Sequence, residues 1–197
     1  MEQYSAKLTG AAFLYNETKI IAQYVYNGES IKELRKRNID ENLIQYKSKA
    51  AILRVNTPIF ERISVFNEAM LNEFVNGDVI ISKMLLIYSI MKTDKLVKDF
   101  ITQVYQDKIL MMKDYIEQIE INNWFEKIYV KSNLESVSES TKNKLKQVMM
   151  KIMVDSGLVS KEDEKYRIII PILNDEFKKL LNDAGDLEYY KIMGGIV

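Results

Sequence analysis

The sequence predicts an all-α protein, a multi-helix globular bundle with one small β-hairpin near its C-terminal end. Three observations carry that prediction. Only two prolines and seven glycines interrupt 197 residues, so few points break local structure. Lys, Glu, Leu, Ile and Met dominate, and all but Ile are strong helix formers. Apolar residues recur at helical spacing along most of the chain, and only after residue 157 does the rhythm become that of short strands.

A first helix is expected from about Thr9 to Tyr26, with Leu14, Thr18, Ile21 and Val25 on one stripe and Asn27-Gly28 at its end. Ser30 and Glu33 have the spacing of a capping box. The short helix they open, about Ile31 to Asn38, carries Lys32, Arg35, Lys36 and Arg37. The polar stretch DENLIQYK leads to Ser48, a good N-cap, and to a third helix reading KAAILRVN. Thr57-Pro58 predicts a kink or restart, followed by helix to Asn76-Gly77.

Three more helices are expected over 78–91, 94–110 and 113–130, with Thr93 or Asp94 as a cap. Leu85, Leu86, Phe100, Val104 and Ile109 are candidate core, and so is the face made by Trp124, Phe125, Ile128 and Tyr129. Asp114, Glu117 and Glu120 lie at i, i+3 spacing and read as a solvated acidic face rather than a cation site. Ser140 or Thr141 is expected to cap a helix that buries Leu145, Val148, Met149, Ile152 and Met153. Asn143, Lys144, Gln147 and Lys151 then face outward, with Lys142 and Lys146 at the boundary. Gly157 suits the left-handed end of that helix. Residues 158–160 and 166–170 bracket KEDEK as a hairpin. A helix over 174–183 and an apolar tail, LEYYKIMGGIV, close the chain. The tail is expected to fold back onto its own domain, with a docking peptide as the alternative. The reading divides the chain into 1–76, 77–130 and 131–197, as one compact domain or two packed subdomains.

Composition removes many functions. There is no histidine and no cysteine, so a thiol nucleophile, a disulfide, a zinc finger and a Ser-His-Asp triad are all excluded. No nucleotide-binding glycine motif is present. A non-enzymatic chain without cofactor or metal is expected. The most apolar stretch, 79–91, includes Lys83 and falls short of the roughly 20 residues of a membrane span. A soluble, cytoplasmic monomer is expected. Formal net charge is zero, yet residues 1–66 carry ten basic and seven acidic side chains, and 131–151 carry five lysines against two glutamates. Residues 67–130 reverse the balance, with seven basic and ten acidic side chains. Two basic segments around an acidic middle suit a polyanionic partner.

A long helix, a short basic helix, a polar turn and a third helix beginning with small residues have the outline of a helix-turn-helix. Such a unit sets Lys47, Ser48, Lys49 and Arg54 in the major groove of double-stranded DNA, with Lys32, Arg35, Lys36 and Arg37 toward the backbone. The later helix with its hairpin has the outline of a winged helix. It offers Lys142, Asn143, Lys144, Lys146, Gln147 and Lys151, and at the hairpin Lys161, Lys165 and Arg167, although Glu162, Asp163 and Glu164 oppose phosphate there.

Taken together, YSAKLTGAAFLYNETKIIA (4–22), ENLIQYKSKAAILR (41–54) and STKNKLKQVMMKIMVDSGLV (140–159) resemble the BrxA family of BREX bacteriophage-exclusion systems. The resemblance implies an all-helical, NusB-like fold with two DNA-binding helix-turn-helix units. It sets Asn42, Gln45, Ser48 and Arg54 in the first unit, and Ser140, Thr141, Lys144 and Gly157-Leu158 in the second. Contacts to other BREX components would fall to the tail or the acidic middle. Two departures stand out: five arginines against 23 lysines, and Pro58 in a helix expected to be continuous. Lysine holds phosphate but reads bases poorly. RNA binding and a protein-only scaffold are the alternatives.

Overall fold

The computed structural model describes residues 3–196. The chain forms two compact units, Phe13–Thr93 and, from its two ends, Met1–Ala12 with Asp94–Val197.

The Phe13–Thr93 unit consists of α1 (Tyr15–Tyr26), α2 (Ile31–Glu41), α3 (Lys49–Ile63), α4 (Glu68–Asn76) and α5 (Val79–Thr93). Helix α5 is apolar on nearly every side and is buried almost throughout from Ile81 to Met91, as expected of a central core helix. Helices α3 and α4 pack against it, α1 packs on α3 and α4, and α2 packs on α3.

Three expectations need correction here. Helix α1 starts at Tyr15 rather than Thr9, because Leu14 turns the backbone left-handed at φ 52°. The preceding Ala6–Gly10 is a separate 3-10 turn capped by Ser5. The capping box at Ser30 does not form: Ser30 has extended cap geometry, but its hydroxyl accepts no helix amide. Helix α3 neither stops nor restarts at Pro58 and runs on to Ile63. Burial of Ile59, Phe60 and Ile63 holds its second half in place against the roughly 3 kcal/mol that an interior proline costs. The break comes instead at Ser64–Asn67, where Asn67 caps α4 by accepting from the Met70 amide.

The other unit holds α6 (Lys95–Phe100), a π-helical turn (Ile101–Gln106) and α7 (Asp107–Leu110) in one continuous rod. Asp94 caps that rod. Then follow β1 (Tyr115–Glu117), α8 (Gln118–Lys131), α9 (Glu139–Ser156), β2 (Val159–Glu162), β3 (Lys165–Ile168), α10 (Asp175–Asp183) and α11 (Leu187–Ile192). Leu85, Leu86, Phe100, Val104, Trp124, Phe125 and Tyr129 are buried, while Ile109 and Ile128 are half-buried. The expected buried stripe of α9 is buried in full.

The segment expected to be helical from 113 begins with strand β1. It pairs antiparallel with β3, so the hairpin belongs to a three-stranded sheet of order β1-β3-β2. Glu117 and Glu120 form the capping box that opens α8, and Glu120 also pairs with Lys108. The cap of α9 is Ser138, not Ser140 or Thr141. Gly157 ends α9 at φ 87°, a conformation that costs glycine little. The tail packs back through Tyr189, Tyr190, Ile192 and Met193, with Tyr190 against Phe177 of α10. Its last residue, Val197, lies outside the described residues.

Candidate nucleic-acid interface

Helices α2 and α3 are joined by Asn42–Ser48, and three contacts hold this connection. Asn42 adopts left-handed geometry, φ 56°. Its Oδ1 accepts from the Tyr46 amide and its Nδ2 donates to the Tyr46 carbonyl, both at 2.8 Å. The Tyr46 hydroxyl donates to Glu17 on α1 at 2.8 Å, and Ile44 is buried beneath. Burial, with the Glu17 carboxylate beside it, pushes the Tyr46 hydroxyl up to about 12. Ser48 then caps α3 by accepting from the Ala51 amide at 3.3 Å.

On this frame Lys32, Lys36, Gln45, Lys47, Ser48, Lys49 and Arg54 are exposed. None of those five cations forms an ion pair among the described residues. Residues 31–54 carry seven basic and three acidic side chains. Arg35 is half-buried over the Phe60 ring at 5.5 Å. Arg37 lies over Tyr24 at 5.1 Å, held above its ordinary value by hydrogen bonds to Glu41 and Glu29. These two arginines and Asn42 are occupied within the unit.

Three outward residues of α3 carry no charge and were not singled out in the sequence: Ala50, Leu53 and Thr57, all exposed. Their signal was available, because they fall opposite the buried Ile52, Val55 and Ile59 at helical spacing. Asn38 and Asn56 were also missed, two amides at core positions of α2 and α3.

The α9 face is chemically different. Asn143, Lys144, Gln147 and Lys151 point outward as expected, and Lys142 and Lys146 are half-buried. Yet Lys142 pairs with Glu139 at 2.9 Å, Lys146 with Glu126 at 3.4 Å and Lys151 with Asp155 at 2.9 Å. Lys144 forms no ion pair among the described residues. The Ser140 and Thr141 hydroxyls gather around Ser138. An open groove of about 370 Å³ lies between α9 and the sheet, with Lys146, Lys151 and Lys161 at its rim. The hairpin turns tightly at Asp163, φ 51°. Lys165 lies over the Tyr115 ring at 3.7 Å, and Arg167 approaches Glu162 at 3.9 Å.

Among the described residues no acidic cluster is placed to hold a metal ion, and no helix is long and apolar enough to cross a membrane. Burial alone would raise the Glu120 carboxyl, but Lys108 and the Glu117 amide outweigh it and hold it below its ordinary range.

The BrxA family model matches residues 2–185. The chain is 25% identical over 193 residues to the BREX protein BrxA of Bacillus cereus (strain H3081.97), covering 98% of this chain and 96% of that one. It is 22% identical over 185 residues to the BREX protein BrxA of Paramagnetospirillum magneticum (strain ATCC 700264 / AMB-1), covering 93% and 92%. The crystal structure of an uncharacterized protein from Magnetospirillum magneticum has a similar fold, with TM-score 0.80, 18% identity and 98% coverage of both chains.

Proposed function

The chain belongs to the BrxA family, and from that premise we propose that it is a non-enzymatic, double-stranded DNA-binding accessory protein of a BREX-type phage-defence system, acting as a cytoplasmic monomer. The α2–turn–α3 segment serves as its helix-turn-helix. One observation carries the reading: Lys32, Lys36, Lys47, Lys49 and Arg54 are exposed along the α2–turn–α3 segment, and none of them forms an ion pair among the described residues. Such cations release counterions from a phosphate backbone. The N-terminal turn of α3, although Ser48 already accepts from its Ala51 amide, adds the positive end of a helix dipole, which favours phosphate. Lysine outnumbers arginine, so most of the affinity is backbone contact and little is base reading.

The α9 element contributes less to DNA binding, because three of its four lysines already face carboxylates. The same pairs favour a second reading for that element alone, a surface that meets other BREX components. Titration of a labelled duplex, with unlabelled duplex and single-stranded RNA as competitors, tests the main reading. Duplex should displace the probe at lower concentration than RNA. No binding at 50 mM salt, where contacts of this kind are strong, would refute it.

A further inference from the structure

We propose, resting on the reading that the Phe13–Thr93 unit binds duplex DNA, that the outward face of α3 recognises thymine through its C5-methyl group, with Leu53 as the specificity-determining residue. Leu53 is 52% exposed, and Ala50 and Thr57 are exposed beside it. At about 100° per residue these three fall within roughly 60° of arc, with Lys49 on one flank and Arg54 on the other. A single exposed leucine needs no explanation. Three methyl-bearing side chains in one arc between two cations that form no ion pair among the described residues are a different case. That surface suits a polyanion that also presents methyl groups along a groove.

The major groove of DNA is such a surface, since thymine alone among its bases places a methyl there and Ala and Thr methyls are known to meet it. The face holds little else that could read a base. Arg54 is its one bidentate donor, Lys49 is a point charge, and the arc carries no Asn or Gln. Glu61 lies on the same arc one turn beyond Thr57 and is exposed. Its carboxylate repels phosphate and confines the footprint to the first turns of α3. The preference is therefore for thymine-containing steps under the N-terminal half of α3, superimposed on backbone binding.

The test uses the full chain and fluorescence anisotropy. An AT-rich duplex is compared with the same duplex carrying uracil for every thymine, which removes only the methyl. Covering one methyl is worth about 4-fold in affinity, so the thymine duplex should bind more tightly by at least that factor. Leu53→Ala keeps a strong helix former at an exposed position, so circular dichroism should be unchanged. That variant should bind the two duplexes alike, with the salt dependence of the wild type. Measurable but equal wild-type binding to both duplexes overturns the thymine reading and leaves DNA binding standing. A thymine preference that survives in Leu53→Ala overturns the assignment to this face. Failure to bind either duplex overturns the DNA-binding reading, and this inference with it.

Discussion

Asn38 on α2 donates from Nδ2 to Oδ1 of Asn56 on α3 at 2.9 Å, with both side chains buried. Asn56 in turn donates to the Arg35 carbonyl at 3.1 Å, so one amide pair fixes how the basic helix lies on α3. Asn38 Oδ1 is buried with no hydrogen-bond partner among the described residues. Replacing Asn56 by Leu strands the buried Asn38 amide and should cost about 2 kcal/mol. Asn38→Leu with Asn56→Leu removes both polar groups and should be more stable than Asn56→Leu alone. Urea unfolding midpoints of these two variants and of Asn38→Leu alone check this, and simple additivity of the two single losses would contradict it.

The Asn42 side chain is committed to Tyr46, and we propose that it positions the turn rather than contacting DNA. Asn42→Ala loses two hydrogen bonds and meets left-handed strain, together about 2–3 kcal/mol. Asn42→Gly keeps the backbone geometry and should recover part of that loss. If the role is positional, Asn42→Gly retains duplex affinity below its melting temperature. Thermal melting and duplex titration of both variants separate the two roles.

Most helices were legible because their apolar stripes repeat at 3.6 residues and their stops are polar or Gly-containing, as at Asn76-Gly77 and Gly157. Strand β1 was not, because Ile116 is a lone buried residue whose partner Tyr166 lies far along the chain, and non-local pairing leaves no local rhythm. The run through Pro58 was hidden for a related reason: the burial of Phe60 and Ile63 that sustains it is tertiary. At the candidate site, the exposed lysines of α2 and α3 followed from periodicity. The capture of Arg37 by Glu29 and Glu41, and of Lys146 by Glu126, did not. The Lys146 pair joins α9 to α8 across sequence, and only the fold brings the two charges together.

Stability should fall at alkaline pH. Burial and the Glu17 hydrogen bond raise the Tyr46 hydroxyl from 10.0 to about 12, and burial raises Tyr105 and Tyr129 as well. Deprotonation is then harder in the folded chain than in the unfolded one. Below pH 10 both states keep these protons and the contribution is constant. Between pH 10 and about 12 the unfolded state sheds protons first, so stability drops as pH rises through that window. Spectroscopic titration should show a late-titrating tyrosine class that merges with the early class in denaturant. Tyr46→Phe should reduce that late class.

The two basic elements should differ in how salt weakens DNA binding. Lys47 and Lys49 stand before and at the start of α3 without an ion pair among the described residues, so Lys47→Glu with Lys49→Glu should flatten the log affinity against log salt slope by about two. On α9 Lys144 has no ion pair among the described residues, but Lys151 is partly neutralised by Asp155 at 2.9 Å. Lys144→Glu with Lys151→Glu should therefore flatten the slope by closer to one. All four side chains are exposed, so circular dichroism and melting should be nearly unchanged in both variants. Mobility shifts across a salt series on one duplex measure both slopes together. A larger slope change from the α9 pair would reverse the assignment and make α9 the principal DNA-contacting helix.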